Sequence, residues 1–234
     1  MRVRVRVHEP EFEVLRLFDM PGVEVLDVGA NRGQSVRSLL AVMARPSITA
    51  IEPNPILAEH IARTYRKHDV TVHSVGLAAA SGRFDLFLPR YGHTVYDTRA
   101  SLLAEHAESF LSASNFWPFR HERCGIERLS IPVVRLDDLG LSPHIVKIDV
   151  EGGLHDVLAG ATATLDRARP LLLVEDARPD VVAMLHEAGY CPATYRLGRL
   201  RLDAVGDVNT LFVQPHHIDV IRRHGAITIE DAMG

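Results

Sequence analysis

The chain has 234 residues, of which 47% are hydrophobic, and a mean hydropathy of +0.03. This composition predicts a globular chain with a substantial core. A formal net charge of −4 and a pI of about 6.3 argue against nucleic-acid binding as the main activity. No apolar run approaches the roughly 20 residues that span a bilayer, so we expect no membrane insertion.

Cysteine and histidine usage also excludes some classes of protein. Cys124 and Cys191 are far apart in the chain and match neither a zinc-site spacing nor a disulfide framework. The 13 histidines show no metal-ligand spacing. We therefore expect no metal site and a cytoplasmic, reducing location.

The first twenty residues combine two patterns. Arg and Val alternate over Met1–Val7, which is typical of a strand and not of a signal peptide. Phe12, Leu15 and Phe18 then follow at helical spacing. We expect residues 1–20 to cover one edge of a sheet.

The segment that follows predicts a strand, a tight loop and a helix. An apolar run ends at Asp27, small and turn-forming residues come next, and a helical pattern begins at Gln34. The loop glycines can adopt backbone angles that a Cβ forbids. The N–H groups of the following helix point at whatever lies over the loop. A nucleotide-like cofactor is predicted here, with ligands Asp27, Gly29, Ala30, Asn31 and Gly33.

The spacing of this loop is D-x-G-x-N-x-G, not the G-x-G-x-x-G that holds a dinucleotide pyrophosphate. An acid at Asp27 would repel a pyrophosphate, but it suits a ligand that carries positive charge. The sulfonium and ammonium groups of S-adenosylmethionine meet that description. An NAD(P)-dependent oxidoreductase of Rossmann type and a non-catalytic cofactor-binding or scaffold protein remain the alternatives.

Two further strands end in candidate cofactor ligands. The strand Ile48–Ile51 is followed by Glu52, Pro53 and Asn54, and the strand Val70–Val75 is followed by Gly76 and Leu77. A carboxylate at the end of the second strand can accept hydrogen bonds from both ribose hydroxyls. We expect Glu52 to do so, with Pro53 and Asn54 beside it. Gly76 and Leu77 are predicted to place backbone near the adenine.

Residues 89–130 interrupt the alternation of strands and helices. Turn signals and a helix-like stretch lead to the aromatic sequence Phe116–Phe119. One interpretation is a lid or acceptor-binding element, because long irregular inserts in compact domains are usually functional. The other is a packed excursion whose aromatic side chains fill a satellite core.

The alternation resumes after the insert. Strands are predicted over 144–149 and 170–175, with helices over 154–167 and 179–188, and residues 194–202 and 208–213 predict a final strand pair with the last strand antiparallel. His216 and His217 are predicted to lie in a terminal loop. Without repeats or linkers, the chain is predicted to be a single domain over 1–234.

Buried strands that alternate with helices predict a mostly parallel sheet covered on both faces. Right-handed crossovers place the first three strands in the order 3-2-1. Ligands of such sheets bind at the carboxyl ends of the strands, near the point where the order reverses. Asp27, Glu52, Gly76 and Asp149 all fall at predicted carboxyl ends.

Several motifs carry a resemblance to a known family. They include LDVGANRG (26–33), IEPNP (51–55), VKIDVEG (146–152), VLAGA (157–161) and RPLLLVE (169–175). With them the chain resembles the FkbM-type S-adenosylmethionine-dependent methyltransferases. The resemblance implies a Rossmann-like class I methyltransferase with a seven-stranded sheet. It also implies O-methylation of a sugar, glycolipid or polyketide-type natural product. The chain departs from the family at Leu154, where an acidic residue is usual.

An alcohol acceptor needs a general base or a metal before it attacks a methyl group. Asp149, Glu151 and Glu175 stand at or just beyond the ends of the fourth and fifth strands. Asp149 and Glu151 point to the same side of an extended chain. We predict Glu151 as the base, with Asp149 pairing with Lys147 or orienting the acceptor, and His155 as the next candidate. Alternatively, both acids anchor the loop through backbone N–H groups.

Overall fold

The computed structural model describes residues 7–150 and 152–230. No helix in these two ranges is long and apolar enough to cross a membrane. The strand predicted over Met1–Val7 lies outside them, apart from Val7. The helices are α1 (Phe12–Leu15), α2 (Gln34–Val42), α3 (Pro55–Thr64), α4 (Ala104–Phe110), α5 (Leu154–Ala159), α6 (Thr162–Ala168), α7 (Pro179–Glu187) and α8 (Pro215–His224).

The strands form two sheets. Their bounds are β1 (Glu24–Val28), β2 (Ser47–Ile51), β3 (Val70–His73), β4 (Gly76–Leu77), β5 (Gly82–Tyr91), β6 (Thr94–Val95), β7 (Cys124–Val134), β8 (Ile145–Ile148), β9 (Leu171–Glu175), β10 (Cys191–Arg196), β11 (Arg199–Leu202), β12 (Asn209–Val213) and β13 (Thr228–Glu230).

The main sheet has the order β13-β11-β10-β12-β9-β8-β1-β2-β3. Its strands β3, β2, β1, β8 and β9 are parallel neighbours, which confirms the predicted order of the first three strands. The predicted antiparallel strand is also present, because β12 runs antiparallel to both β9 and β10.

The expected number of seven strands is wrong, because the sheet is mixed and has nine. The predicted strand over 194–202 is instead a hairpin of β10 and β11. Its two-residue connection, Leu197 and Gly198, has positive φ at both positions, which suits the twist of a tight hairpin. The ninth strand, β13, pairs parallel with β11 beyond α8.

Helices pack on both faces of the main sheet, and β9 shows how. Leu171 and Leu173 belong to the apolar cluster that contains side chains of α1 and α2. Leu172 and Val174 belong to the cluster on the other face, with side chains of α5, α6 and α7. Because successive side chains of a strand point to opposite faces, a strand buried on both faces is apolar throughout.

The second sheet has the order β4-β7-β5-β6. Part of the predicted insert belongs to this sheet. Strands β5 and β7 pair antiparallel from Gly82 with Val133 to Tyr91 with Cys124. The stretch expected to be irregular over 89–130 is therefore partly regular, because its ends belong to long strands. Between them lie β6, a 3₁₀ turn over Asp97–Arg99, and α4.

An aromatic cluster lies inside the insert. The Phe116 ring stacks on Tyr91 at a centroid distance of 4.1 Å. It also makes edge contacts with Tyr96 at 5.4 Å and Phe110 at 5.5 Å. Trp117, the next residue, is 94% exposed. Most of the aromatic sequence thus packs within the insert, while its one tryptophan points to solvent.

Candidate active site

A cavity of about 560 Å³ opens at the carboxyl ends of the parallel strands. It lies where the strand order reverses between β1 and β8, the position at which open α/β sheets bind ligands. Residues from the main sheet, the insert and the N-terminal segment line it together. The predicted site residues in its lining are Gly29, Ala30, Asn31, Glu52, Pro53, Gly76, Leu77 and Asp149.

The loop after β1 forms one wall of this cavity and is packed too closely for a side chain at Gly29. Gly29 has φ +80°, and a Cβ there would lie 1.7 Å from the backbone oxygen of Asp149. The N–H groups of Gly29 and Ala30 both donate to the Ile51 carbonyl, at 3.0 and 3.1 Å. The loop is thereby fixed between the ends of β2 and β8.

Glu52 lies at the end of β2 with its carboxylate already oriented. Its Oε2 accepts from the Asn31 N–H and its Oε1 from the Asn54 N–H, each at 2.8 Å. The side chain is 5% exposed. Burial raises the pKa of Glu52 to about 7, against the lowering effect of the two backbone hydrogen bonds. Each oxygen keeps a further lone pair for a ligand in the cavity.

Asp27 was predicted as a ligand, but the structure places it behind the cavity wall. It is fully buried, and its Oδ2 accepts from the hydroxyl of Ser35. Burial raises the pKa of Asp27, while the nearby ammonium of Lys147 acts in the opposite direction. Its Oδ1 has no hydrogen-bond partner among the described residues. Asp27 therefore supports the cavity wall and places a carboxyl behind it, but it offers no surface for a ligand to contact.

Gly33 and Asn54 are also absent from the lining. The Tyr65 hydroxyl donates to the Gly33 carbonyl at 2.7 Å, and the Tyr65 ring occupies the space that a Cβ would need. Asn54 is buried and caps α3 by accepting from the Ile56 N–H at 3.1 Å. Both residues hold the wall that carries Asn31 and Glu52.

Lys147 was expected to pair with Asp149 or Glu151, and the structure pairs it with Asp149. Lys147 is 2% exposed, and its Nζ donates to the Asp149 Oδ2 at 2.8 Å. Burial lowers the pKa of Lys147, but Asp27 and Asp149 together raise it above its ordinary value. A buried ammonium needs such partners to remain charged. Asp149 thus reaches the cavity with its charge matched by Lys147.

Of the two other predicted catalytic residues, only His155 can be placed, and it does not line the cavity. Glu151 lies outside the described residues. His155 is on an exposed face of α5, with its Nδ1 3.8 Å from the Asp156 Oδ1 and its side chain 56% exposed. In the described ranges, no group of three or more His, Cys, Asp or Glu side chains is arranged to hold a metal ion.

Glu175 lines the cavity, although sequence analysis placed it at a strand end without assigning it a role. It follows the apolar run of β9 and is half-buried. Because β9 is the parallel neighbour of β8, the Glu175 carboxyl lies close to that of Asp149. Burial first, and then Asp149, raise the pKa of Glu175 to about 7. The sequence indicated Glu175 only through its position at the end of a strand that neighbours the strand before Asp149.

Two other contributions to the lining were missed. His8 and Glu9 reach the cavity from the N-terminal segment, where no motif marks them. Residues 97–103 of the insert also line it. Arg32 donates to Asp97 at 2.8 Å, and the Asn31 Nδ2 donates to the Thr98 carbonyl at 3.2 Å. These contacts join the insert to the glycine loop.

The chain is similar to methyltransferases in sequence and in fold. A profile of the methyltransferase FkbM domain matches residues 27–191. The 2-O-methyltransferase NoeI of Sinorhizobium fredii is 26% identical over 174 residues, which are 70% of this chain and 67% of that protein.

One solved structure supports the same fold class. The crystal structure of methyltransferase FkbM from Methylobacillus flagellatus KT is 17% identical, with a TM-score of 0.52 over 82% of this chain. The match covers 44% of that protein, so this chain spans less than half its length. An rRNA methylase from Streptococcus thermophilus is 10% identical, with a TM-score of 0.46 over 90% of this chain and 96% of that one. That superposition is too loose to support an argument about acceptors.

Proposed function

The chain belongs to the FkbM methyltransferase family, and we propose that it transfers the methyl group of S-adenosylmethionine to a hydroxyl oxygen of a sugar, glycolipid or polyketide-type natural product. The name of the relative NoeI, a 2-O-methyltransferase, supports oxygen as the acceptor atom. The net charge of −4 favours a small-molecule or glycan acceptor over a nucleic acid. The observation that carries the proposal is the oriented carboxylate of Glu52 in the cavity.

The residues of the cavity fit this methyl donor. Glu52 offers two carboxylate oxygens to the ribose hydroxyls, and residues 29–31 bring the backbone of the glycine loop to the cavity. Gly76 and Leu77 add backbone and apolar surface for the adenine. When bound, the donor supplies a methyl group made electrophilic by a sulfonium.

The charge of the cavity supports the same choice of ligand. Among the described residues, the cations in its lining are Lys147 and Arg99, and Asp27 lies just behind it. The acidic residues in the lining are Glu9, Glu52, Asp97, Asp149, Asp156 and Glu175. Such an excess of carboxylates attracts a cationic ligand and repels the pyrophosphate of NAD(P). The oxidoreductase alternative is therefore disfavoured on electrostatic grounds.

We also propose that residues 97–103 close the cavity over the acceptor. They line it opposite the glycine loop and are joined to that loop through Asp97 and Thr98. Closure would exclude water and align the acceptor oxygen with the methyl group. In this proposal the insert determines the choice of acceptor, whereas the strand ends determine the donor.

Calorimetry with S-adenosylhomocysteine tests the donor site. Glu52→Ala removes the charged acceptor of two hydroxyls, and each such hydrogen bond is worth about 1.5–3 kcal/mol. The dissociation constant should therefore rise at least about tenfold. Glu59→Ala is the matched control, because Glu59 is an exposed glutamate of α3, and it should bind like wild type.

Two results would contradict the donor assignment. One is an unchanged dissociation constant in Glu52→Ala. The other is a wild-type protein that does not bind S-adenosylhomocysteine. If that protein binds NAD(P), the oxidoreductase alternative is favoured, and if it binds neither ligand, a scaffold protein is favoured. A panel of hydroxylated sugars and polyketides with isotope-labelled donor, scored by mass spectrometry, would then identify the acceptor.

A further inference from the structure

Glu175 and Asp149 line the cavity at the ends of the adjacent parallel strands β9 and β8, which brings their carboxyl groups close together. Two neighbouring carboxyl groups share a proton more readily than they both ionise. Asp149 is already paired with the buried ammonium of Lys147 at 2.8 Å. Glu175 is therefore the carboxyl of the two to which we assign the proton.

The charged groups around Glu175 are few. Asp149 and Lys147 face it from β8, and Glu9 faces it from the N-terminal segment. On the other side, Asn209 of β12 lies opposite it in register, and the Asn209 side chain hydrogen-bonds to Glu11. Burial and Asp149 raise the pKa of Glu175 to about 7, with Lys147 opposing them. A general base whose pKa lies near the working pH is ionised in a large enough fraction of the enzyme molecules. It still has enough affinity for the proton that it removes.

We propose that Glu175 is the general base that removes the proton of the acceptor hydroxyl, a role that rests on the methyl transfer proposed above. The acceptor O–H bond breaks and its proton moves to the ionised Glu175 carboxylate. The acceptor oxygen bonds to the methyl carbon as that carbon separates from sulfur, which keeps the electron pair. Glu175 then carries the proton beside Asp149 and releases it to solvent at the open side of the cavity.

Glu175 takes the place of the predicted Glu151, which lies outside the described residues. Lys147 holds Asp149 in an ion pair, so Asp149 orients Glu175 instead of acting as the base. His155 lies outside the lining, on an exposed helix face. Glu52 also lines the cavity with a raised pKa, but two backbone N–H groups hold its oxygens and the proposed donor site uses it, which leaves Glu175 for the acceptor proton.

The first test compares Glu175→Gln with the matched control Glu187→Gln, an exposed glutamate of α7. Turnover is measured on a panel of methyl glycosides and polyketide alcohols, and affinity with S-adenosylhomocysteine. Glu175→Gln should bind S-adenosylhomocysteine within about twofold of wild type and lose about 10²-fold or more in turnover. The Glu187→Gln protein should match wild type in both measurements.

The pH dependence separates a base from a structural residue. In wild type, kcat/KM for the acceptor, measured with saturating donor so that Glu52 is already engaged, should rise through pH of about 7 as Glu175 becomes ionised, and this limb should be absent in Glu175→Gln. Infrared titration gives a readout without turnover. The protonated carboxyl band that disappears as the pH rises through about 7 should be weaker in the variant than in wild type, because only the contribution of Glu52 remains. If Glu175→Gln does not fold, Glu175→Asp keeps a titrating carboxyl and should retain both the pH limb and partial turnover.

Three results would overturn the assignment. The first is wild-type turnover in Glu175→Gln with normal S-adenosylhomocysteine affinity, which would refute the base and leave the proposed function intact. The second is a Glu175→Asp protein that has lost the pH limb. The third is a wild-type protein that neither binds S-adenosylhomocysteine nor methylates the panel, which would refute the proposed function and this role with it.

Discussion

The cavity has a floor and a roof that are built in different ways. The floor consists of the ends of β1, β2, β8 and β9, and its groups are fixed by short hydrogen bonds and close backbone packing at Gly29 and Glu52. The roof is the segment 97–103, which is held to the floor by Arg32 with Asp97 and by Asn31 with Thr98. A preorganised floor suits a constant donor, and a lightly held roof suits a variable acceptor.

The same difference appears in how each region is supported. All four residues of β8 are buried between apolar layers. The insert has its own small core, in which Phe116 packs on Tyr91, Tyr96 and Phe110. We therefore expect substitutions in the floor to lower global stability and substitutions in the insert to loosen the roof while the floor stays folded.

The largest effect is expected for Gly29→Ala. The new Cβ would lie 1.7 Å from the Asp149 carbonyl oxygen, at a residue with φ +80°, so the glycine loop or β8 must move. We expect a loss of about 3–5 kcal/mol in the free energy of unfolding, measured by urea denaturation. Gly140→Ala is the control, because φ is +65° but no atom lies within 4 Å of the added carbon. It should cost only about 1 kcal/mol, and equal losses in the two variants would contradict the close packing of the floor.

An intermediate effect is expected for Phe116→Ala in the insert. The change removes a stacked contact and two edge contacts from a partly exposed ring, for which we expect a loss of about 1–3 kcal/mol. Hydrogen exchange should accelerate in the insert and not in β1, and S-adenosylhomocysteine affinity should stay within about twofold of wild type. Trp117→Ala, at a side chain that is 94% exposed, should change stability by less than about 0.5 kcal/mol. A slower or unchanged exchange in Phe116→Ala would show that the insert does not depend on this cluster.

The floor could be predicted from the sequence because its signals are contiguous. Strand, glycine turn and helix follow one another over 23–44, and the acid at Glu52 directly follows β2. Parallel strands joined by right-handed crossovers then bring these ends to one edge of the sheet without further information. Asp27 was assigned to the same edge, but side-chain direction, which the pattern alone does not give, places it behind the wall.

The roof could not be predicted because its contacts join distant parts of the chain. Gly82 pairs with Val133 across the whole insert, and the residues between them show no period that identifies a partner strand. The approach of Glu175 to Asp149 likewise depends on the pairing of two strands, not on spacing along the chain. Glu9 reaches the cavity from a segment whose sequence shows no functional motif.

The prediction of a terminal loop at His216 and His217 is wrong, because both lie in α8. The helix begins with a capping box in which Gln214 and His217 exchange side-chain and backbone hydrogen bonds. The usual signature has Ser or Thr followed by Glu or Gln, so this pair was not recognised. His217 is 4% exposed, and burial lowers its pKa to about 3.

The smallest effect is expected where the roof meets the floor, for Arg32→Ala. The ion pair of Arg32 with Asp97 is partly exposed, with side-chain exposures of 51% and 25%, so its loss is worth about 0.2–1 kcal/mol. That energy corresponds to an increase of up to about fivefold in the opening of the roof. The Arg99 and Ser101 amides, both hydrogen-bonded to backbone carbonyls, report this opening by hydrogen exchange.

The matched control is Arg63→Ala, which breaks the exposed ion pair with Glu59 on α3 and should leave exchange in the roof unchanged. Raising the salt concentration should accelerate the same amides in wild type, because an exposed pair is screened. Binding of donor and acceptor together should slow them, since closure adds contacts that the free protein lacks. If the Arg99 and Ser101 amides of the free wild-type protein are already as protected as those of β1, residues 97–103 are part of the rigid floor. The proposal that a rigid site binds the donor while a mobile lid closes over the acceptor would then be wrong.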